Sequence, residues 1–449
     1  MNQADPSPAR TFVRAGFMLP LAISCVIASQ GALAQAARVT KSPATAQNGM
    51  RVLLPSAQLS FQKLERITAY FNNEVASGKI PGANVLVQRH GVPVYFRSFG
   101  KTDVKTGEPM RPETIFRLHS LTKPITSVTA MLLVDSGRIK LDDLVADYIP
   151  SFASAMVGIE GKTADGKPTL TMEKPQRPIT IADLLRHSSG ITYGFYGKGL
   201  IRAAYADADL YAPGIDNKLL ADKVAALPLA EQPGTVWDYG HSTDVLGRVI
   251  EVVSGKSLYD FQREKLLAPL GMNDTAYYVA DPAKYRLIAE PLPSDTDFRT
   301  GNAPDPKIAP KWQSGGGGLL STIGDMARFC QMILNGGSLD GTLYLKPDTF
   351  TAMTADQIVP KGPIRKGDYY FPGDGFGFAL GFAIRSEPGE KNLPGSPGEL
   401  KWDGAGGTYF WIDRQQDMFA ILMIQSPSER GRIQADLKRL VYDSFESPL

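Results

Sequence analysis

Apolar residues recur at helical spacing near both ends of the chain and through its middle. Leu64, Ile67 and Phe71 are three or four residues apart, which predicts a helix over residues 60–77. The same reasoning predicts further helices over 120–136, 141–150, 179–186, 242–254 and 428–445. Two other segments lack a clear period, and we expect a surface loop over 158–178 and an irregular aromatic segment over 191–215.

Short apolar runs predict β-strands near both ends of the chain. Residues 84–89 and 93–99 flank His90-Gly91 and predict a hairpin. Three more strands are predicted over 377–385, 407–412 and 418–424. The order of these elements predicts an α+β protein, in which both ends of the chain build one sheet and a helical domain is inserted between them.

The N-terminal residues have the pattern of an export signal. Arg10 and Arg14 precede an apolar run over 15–32, which ends in the small-residue cleavage pattern Ala32-Leu-Ala34. We therefore expect a signal peptide over residues 1–36. The mature protein would then be periplasmic or secreted, with no stable membrane insertion after the signal is cleaved.

Two alternatives for this segment stay open, an uncleaved membrane anchor and lipid attachment at Cys25. Pro20 and Ser24 interrupt the apolar run, which favours cleavage over anchoring. Residues 37–57 are small and polar and predict a flexible leader before a main domain over 58–449.

The composition is that of an ordinary globular protein. The chain has 449 residues, of which 43% are hydrophobic and 21% charged, and its formal net charge is +2. The near-neutral charge and the lack of a lysine and arginine stripe argue against nucleic acid as a partner. Cys330 is the one cysteine outside the signal and lies in a helical pattern, so we expect a buried structural side chain. The sequence does not fix the oligomeric state.

Ser120 and Lys123 form the first candidate catalytic pair. The spacing Ser-x-x-Lys places both residues one turn apart on the same side of the helix predicted over 120–136. A hydroxyl beside an amine at a helix start can make an activated serine nucleophile. The spacing is common by chance, and a helix N-cap is the alternative role for Ser120, so the chemistry needs companions.

Two later stretches supply such companions. Tyr239 lies in a turn before a helix, and an ammonium group beside its phenol would lower its pKa and make it a general base. Trp402-Asp-Gly-Ala-Gly-Gly407 is a glycine-rich strand edge that can offer a backbone N–H to an oxyanion. The run Gly315–Gly318 lacks the ending of a phosphate loop, so we expect it to let backbone pass close to a site or another strand.

Together these stretches resemble the serine β-lactamase and penicillin-binding-protein superfamily, in its class C-like branch and closest to the family VIII carboxylesterases. The matching motifs are Ser120-Leu-Thr-Lys123, Tyr239-Gly-His241 and Trp402-Asp-Gly404. Three further stretches look like family framework, namely Leu184–Gly190, Pro269–Met272 and Gly317–Ser321. The resemblance covers about residues 60–445.

The resemblance implies a β-lactamase/transpeptidase-like fold, an antiparallel sheet flanked by helices with a mostly helical subdomain over about 135–315. It also implies roles for residues. Ser120 attacks an acyl carbonyl, Lys123 and Tyr239 share the proton transfers, and the backbone N–H groups of Ser120 and Ala405 form the oxyanion hole. No metal or organic cofactor is implied, and the expected partner is a small-molecule ester or amide.

Two positions depart from the β-lactamase pattern. His241 stands where those enzymes have an asparagine, and it could position Tyr239 or line the cleft. Trp402 stands where they have a lysine that attracts the substrate carboxylate, and its indole favours apolar groups instead. Trp402 as a core residue without substrate contact is the alternative.

These departures favour a serine carboxylesterase that hydrolyses short-chain esters, with weak β-lactam hydrolysis as a further expectation. One alternative is a class C-like β-lactamase or D-Ala-D-Ala-type peptidase. Another is a non-catalytic module that binds peptidoglycan or penicillin. Ser242 in Gly240-His-Ser-Thr-Asp244 is not assigned as a nucleophile, because that segment ends in Asp and lacks the strand–nucleophile–helix context. His119 and His187 are expected to be structural.

Overall fold

The structure is a computed structural model, and it describes residues 59–295, 305–359, 362–387 and 393–446. The predicted signal peptide, the leader and Cys25 lie outside the described residues. Within them, no helix combines the length and the apolar character needed to cross a membrane.

The described strands and helices follow the chain as two series. The strands are β1 (Gly82–Arg89), β2 (Val92–Gly100), β3 (Phe116–Arg117), β4 (Val157–Lys162), β5 (Pro168–Glu173), β6 (Val236–Trp237), β7 (Leu320–Ser321), β8 (Ser338–Leu339), β9 (Thr342–Leu343), β10 (Arg365–Lys366), β11 (Phe376–Phe378), β12 (Ala383–Arg385), β13 (Leu400–Asp403), β14 (Tyr409–Asp413) and β15 (Met418–Ile424). The helices are α1 (Phe61–Ala76), α2 (Thr122–Asp135), α3 (Val145–Tyr148), α4 (Ile181–Leu185), α5 (Leu200–Asp207), α6 (Asn217–Ala225), α7 (Ser242–Ser254), α8 (Leu258–Gln262), α9 (Ala268–Leu270), α10 (Ile323–Leu334), α11 (Pro347–Met353) and α12 (Arg430–Asp443). Shorter helical turns are His119–Leu121, Pro150–Ser154, Arg263–Leu267 and Pro282–Leu287.

Seven strands form one antiparallel sheet in the order β11-β12-β13-β14-β15-β1-β2. The first hairpin therefore pairs with the last strand, so both ends of the chain build the sheet. This confirms the predicted α+β class and the prediction that both ends of the chain build one sheet.

Strand β15 shows why the sheet is covered on both faces. Its side chains alternate between two apolar cores, because neighbouring residues of a strand point to opposite faces. Leu422 and Ile424 pack with residues of α1 and α12, whereas Ile421 and Met423 pack with α10 and the helices beyond it. All seven residues of β15 are buried, which explains its continuous apolar sequence.

The terminal elements match the sequence prediction closely. Helix α1 begins after Ser60, whose side chain accepts a hydrogen bond from the backbone of Lys63, as a cap does. The turn between β1 and β2 is His90-Gly91, with positive φ at both residues.

Cys330 lies buried in α10 with a free thiol, and burial raises its pKa well above the usual range.

Three predictions about the middle and the late strands were wrong. The segment expected as a loop over 158–178 contains the hairpin β4–β5, whose side chains are mostly exposed. Most of its side chains face solvent and the segment is rich in Gly, Lys, Thr and Pro, which is the composition of a loop. The aromatic segment over 191–215 contains α5, and the strand predicted over 377–385 is two strands, β11 and β12, separated by a turn with Gly381 at φ +104°. Strand β13 ends at Asp403, within the stretch from Trp402 to Gly407 that was predicted as a strand edge.

Helix α2 lies at the centre of the molecule. The sequence predicted one apolar face, with Ile125, Val128 and Leu132, but most of the helix is buried on all sides. Its polar residues are satisfied internally. Thr126 donates to the carbonyl of Gly315 at 2.8 Å. A helix in this position can hold a polar group such as Lys123 away from water. The mostly helical stretch over about 135–315 follows this helix, and its limits as a subdomain stay a prediction.

Glycines bring the strand edge after β13 against the start of α2. A Cβ on Gly404 would overlap the backbone oxygen of Leu118, and Thr408 donates to that same oxygen at 3.0 Å. The N–H of Gly404 donates to the carbonyl of Thr408 at 2.8 Å, which closes a tight turn. The residues just before Ser120 are therefore held directly by this turn.

Gly404→Ala should disturb this contact. We expect a loss of about 1–3 kcal/mol in the free energy of unfolding, because the added methyl has no room. Gly431→Ala is the matched control, since a Cβ at Gly431 meets nothing within 4 Å. Guanidinium unfolding of both variants measures the difference, and equal stability of the two would contradict this packing.

Candidate active site

Ser120 lies where strand β3 gives way to helix α2. His119 has a φ of +48°, which turns the chain so that Ser120 falls in the short helical turn His119–Leu121. Non-glycine residues rarely adopt this conformation, and it is frequent next to functional groups. Ser120 is half-buried, so part of this residue is exposed to solvent.

Lys123 meets Ser120 from the first turn of α2. Its Nζ lies 3.3 Å from the Ser120 hydroxyl, 3.3 Å from the Tyr193 hydroxyl and 2.7 Å from the Gly316 carbonyl oxygen. The side chain is 2% exposed. Burial lowers the pKa of Lys123 to about 7, although the charges of Asp244 and Asp403 act in the opposite direction. At neutral pH a large fraction of this amine is therefore uncharged.

Tyr239 completes the group, with its ring centroid 4.5 Å from the Lys123 Nζ. Its hydroxyl is buried and, with the residues that the structure describes, makes no hydrogen bond of regular geometry. Burial raises the pKa of Tyr239 above its usual value. Hydrogen bonding with Ser120 and Trp402 acts in the lowering direction, and the charge of Asp403 raises it further. The expected lowering of this pKa was wrong, because burial has the largest effect on it. Tyr239 is a protonated phenol.

Asp244 organises the far side of Lys123. Its carboxylate accepts hydrogen bonds from the Ser314 hydroxyl at 2.6 Å and from the Gly316 N–H at 3.0 Å. Burial alone would raise the pKa of Asp244, but hydrogen bonds from His241 and Ser314 and the charge of Lys123 hold it below its usual value. Asp244 thereby holds the backbone of Gly316, whose carbonyl oxygen accepts the hydrogen bond from Lys123.

The glycine run over 315–318 makes this approach possible. A Cβ on Gly315 would lie 2.6 Å from the Thr243 carbonyl oxygen, and one on Gly316 would lie 2.9 Å from Asp244. The prediction that these glycines allow backbone to pass close to a site is confirmed.

His241 is fully buried beside this network. Its Nδ1 lies 2.9 Å from Asp244 and its Nε2 lies 3.3 Å from the Tyr211 hydroxyl. Its ring packs on Tyr193 with centroids 4.4 Å apart. Both ring nitrogens are engaged within the protein, so the geometry supports a positioning role, and direct substrate binding stays a prediction.

Trp402 lies behind Tyr239. It is 4% exposed, and its ring centroid is 5.7 Å from that of Tyr239. This burial favours a role in placing the phenol, and substrate contact by Trp402 also stays a prediction. Ala405, three residues on, is exposed between buried Gly404 and Gly406, which leaves the turn open at the position expected for the oxyanion hole.

His187 and Ser242, to which the sequence analysis assigned no catalytic role, are both buried. His187 is buried, its ring packs 4.9 Å from that of Tyr239, and burial lowers its pKa well below the usual value. The Ser242 hydroxyl is buried and lies 2.9 Å from the Ser189 hydroxyl. In the described part of the chain, no cluster of three His, Cys, Asp or Glu side chains could hold a metal ion.

Sequence reasoning missed the role of Asp244 and the contacts of Tyr193. Asp244 was visible only as the residue that breaks a Gly-x-Ser-x-Gly pattern. Its position three residues after His241, at the start of a helix, was the available signal. Tyr193 was one of several aromatics in an irregular segment, and nothing in that segment singled it out.

Comparison with known proteins places the chain in a family. The beta-lactamase family model matches residues 67–443, so the chain belongs to the beta-lactamase family. It is similar to Esterase EstB of Burkholderia gladioli, with 30% identity over 400 residues, 84% of this chain and 94% of that protein. It is also similar to the lovastatin esterase of Penicillium rubens, with 30% identity over 394 residues, 82% of this chain and 95% of that protein.

A solved structure shows the same fold. The structure of EstCE1, described as a hydrolase with promiscuous acyltransferase activity, aligns with a TM-score of 0.70 and 24% identity. The alignment covers 85% of this chain and 99% of that one. The resemblance noted from the three motifs is thus confirmed at the level of family and fold.

Asp244→Asn should lower the pKa of Lys123, because the carboxylate charge favours the protonated amine. NMR titration of protein labelled with [ε-13C]lysine measures this pKa, with the Lys123 signal assigned from its loss in Lys123→Met. Lys218→Met is a control, since this exposed side chain pairs with Asp222 away from the site. An unchanged or higher Lys123 pKa in Asp244→Asn would rule out the arrangement described.

Proposed function

We propose that this chain is a serine hydrolase that cleaves carboxylic esters with short acyl groups through an acyl-enzyme on Ser120, as a family VIII type carboxylesterase. The observation that carries the proposal is the contact between the Ser120 hydroxyl and the Lys123 amine, whose pKa burial lowers to about 7. A buried neutral amine next to a reachable hydroxyl is what an activated serine needs. Two relatives at 30% identity whose names describe esterases support the ester as substrate.

Acylation begins with the neutral amine of Lys123. Ser120 attacks the ester carbonyl carbon, and its proton passes to Lys123. The negative charge that develops on the carbonyl oxygen is held by the backbone N–H groups of Ser120 and Ala405. Tyr239, protonated because its pKa is raised, gives its proton to the departing alcohol oxygen and receives the proton held by Lys123. The C–O bond breaks, the alcohol leaves and Lys123 is neutral again.

Deacylation uses the same groups. Water attacks the acyl carbonyl, and Lys123 takes its proton. The tetrahedral intermediate collapses to the acid as the Ser120 oxygen departs and takes the proton held by Lys123, which is then neutral again. This step needs water where the alcohol has left, so the site must remain open to solvent on that side, as the half-exposed Ser120 is.

The strand edge favours esters over β-lactams. In β13, Trp402 faces Tyr239, and its neighbour Lys401 points to the other face, with its Nζ 4.0 Å from the Phe376 ring centroid. An ammonium group at the Trp402 position would attract the carboxylate of a β-lactam. The uncharged indole that stands there does not supply this attraction. Weak β-lactam hydrolysis remains part of the proposal. Export to the periplasm or outside the cell is also proposed, on the N-terminal pattern alone.

The wild-type protein should have a kcat/KM for p-nitrophenyl butyrate at least about 100-fold higher than that for nitrocefin. The reason is that Trp402 offers an apolar contact and no attraction for the nitrocefin carboxylate. Ser120→Ala should lose turnover of both substrates and covalent labelling by a fluorophosphonate probe. Steady-state kinetics and intact-protein mass spectrometry measure these effects.

Ser242→Ala is the matched control, since Ser242 is the serine of the rejected motif and is buried away from the reaction. Its variant should still be labelled. Faster nitrocefin turnover in the wild type would support the β-lactamase alternative. A wild-type protein without turnover or burst on any ester would support the non-catalytic module.

A further inference from the structure

Aromatic rings from two separate segments surround the Tyr239 side of the site. We call this set the aromatic mouth, and it comprises Tyr193, Phe195, Tyr196, Tyr369 and Phe371. The Phe371 ring lies 5.3 Å from that of Tyr239 and 5.4 Å from that of Tyr196. The Phe195 ring stacks on Tyr193 at 4.5 Å. The mouth is therefore continuous with the reacting groups, because Tyr193 and Tyr239 both contact Lys123.

Two of these rings are unusually open to solvent. Phe195 is 61% exposed and Phe371 is 51% exposed. A single exposed apolar side chain needs no explanation. Two exposed phenylalanines beside a reactive site form an apolar surface, and covering that surface with a ligand is favourable.

The ion pair of Arg202 and Asp238, which we call the ionic clamp, holds the residues of the aromatic mouth in place. The Arg202 guanidinium contacts the rings of Tyr196 and Tyr369, 4.4 Å and 4.9 Å from their centroids, and the two rings contact each other. It donates to both carboxylate oxygens of Asp238 at 3.1 Å. A guanidinium that contacts two rings and is paired with a carboxylate is a rigid arrangement.

The clamp also connects to the chemistry. Asp238 directly precedes Tyr239, and the Tyr196 hydroxyl donates to Asp238 and to the Tyr239 carbonyl oxygen. The exposed rings are thus fixed relative to the phenol before any ligand arrives, which lowers the cost of binding.

The position of the phenol decides which part of an ester meets the mouth. In the proposed mechanism Tyr239 gives its proton to the departing oxygen, so the alcohol part lies on the Tyr239 side of the scissile bond. Phe371 packs against Tyr239 on that side. The acyl part, bonded to Ser120, extends the other way.

We propose that Phe195 and Phe371 bind a flat, apolar ring system in the alcohol part of the ester. The preferred substrates are then esters of a short acid with an aromatic or fused-ring alcohol. This inference rests on the proposed function and adds the substrate class to it. The rings would contact the ligand by stacking or edge-to-face packing at centroid distances of about 4.5–7 Å.

Three esters separate the alcohol side from the acyl side. They are 2-naphthylmethyl acetate, with the ring in the alcohol part, methyl 2-naphthylacetate, with the ring in the acyl part, and ethyl acetate, with no ring. The leaving groups are all simple alkoxides, so leaving-group acidity does not explain a difference between them.

Phe195→Ala and Phe371→Ala should each lower the ratio of kcat/KM for 2-naphthylmethyl acetate to that for ethyl acetate by about ten-fold, mainly through KM. A general disturbance of Tyr239 affects both substrates and cancels in the ratio. Phe371→Tyr should restore the ratio. Phe61→Ala is the matched control, because Phe61 is 74% exposed on α1, outside the mouth, and its variant should keep the wild-type ratio.

An unchanged ratio in both mouth variants would overturn the inference. So would a loss confined to methyl 2-naphthylacetate, which would place the ring on the acyl side. Binding of the product alcohol, 2-naphthylmethanol, to Ser120→Ala by calorimetry tests the mouth without turnover. Binding that weakens about ten-fold when Phe371→Ala is added supports the mouth even if the enzyme cleaves none of the esters, whereas binding unaffected by that change counts against it.

Discussion

The burial of the Lys123 amine beside Ser120 is the constraint on which the centre of this protein depends. A protonated amine in that position costs free energy, because its neighbours are a carbonyl oxygen, a phenol and a hydroxyl, and no carboxylate of the described residues forms an ion pair with it. The charges of Asp244 and Asp403 act from farther away and only partly offset the burial. The amine therefore titrates near neutrality, which an exposed lysine does not do.

The fold supplies this environment by placing helix α2 at the centre of the molecule. An amphipathic helix usually buries one face only, but this helix is buried on nearly all sides. A lysine in its first turn can therefore be surrounded completely by protein. The glycines over 315–318 and the tight turn at Gly404 bring two pieces of backbone close to that first turn. Asp244 then holds the glycine segment in register with Lys123. Sheet, glycine run and helix start are parts of one arrangement around one amine.

Much of the fold and of the site was predictable from the sequence, for identifiable reasons. The helices α1 and α12 and the strands β1, β2 and β15 have strong apolar patterns, because each buries a face or both faces. Ser120, Lys123 and Tyr239 were found because their motifs are local and ordered along the chain. The structure brings these three side chains together.

The remaining features depend on contacts that a linear pattern does not show. The hairpin β4–β5 buries little and lies in a segment rich in Gly, Lys, Thr and Pro, a composition that predicts a loop. The raised pKa of Tyr239 follows from its burial, which the sequence did not show. The aromatic mouth is built from two segments about 175 residues apart, 193–196 and 369–371, which only folding brings together.

The pH dependence of the acylation rate tests the central claim most directly. Labelling of Ser120 by an uncharged fluorophosphonate probe, followed by mass spectrometry from pH 5 to 9, measures attack by the serine alone. If neutral Lys123 is the base, the rate rises with pH, reaches half of its plateau near pH 7 and falls about ten-fold per pH unit well below it. Lys123→Arg, which stays protonated, should lose at least about 100-fold at pH 8. A rate that is flat across this range, or that still rises ten-fold per unit at pH 9, would contradict the account.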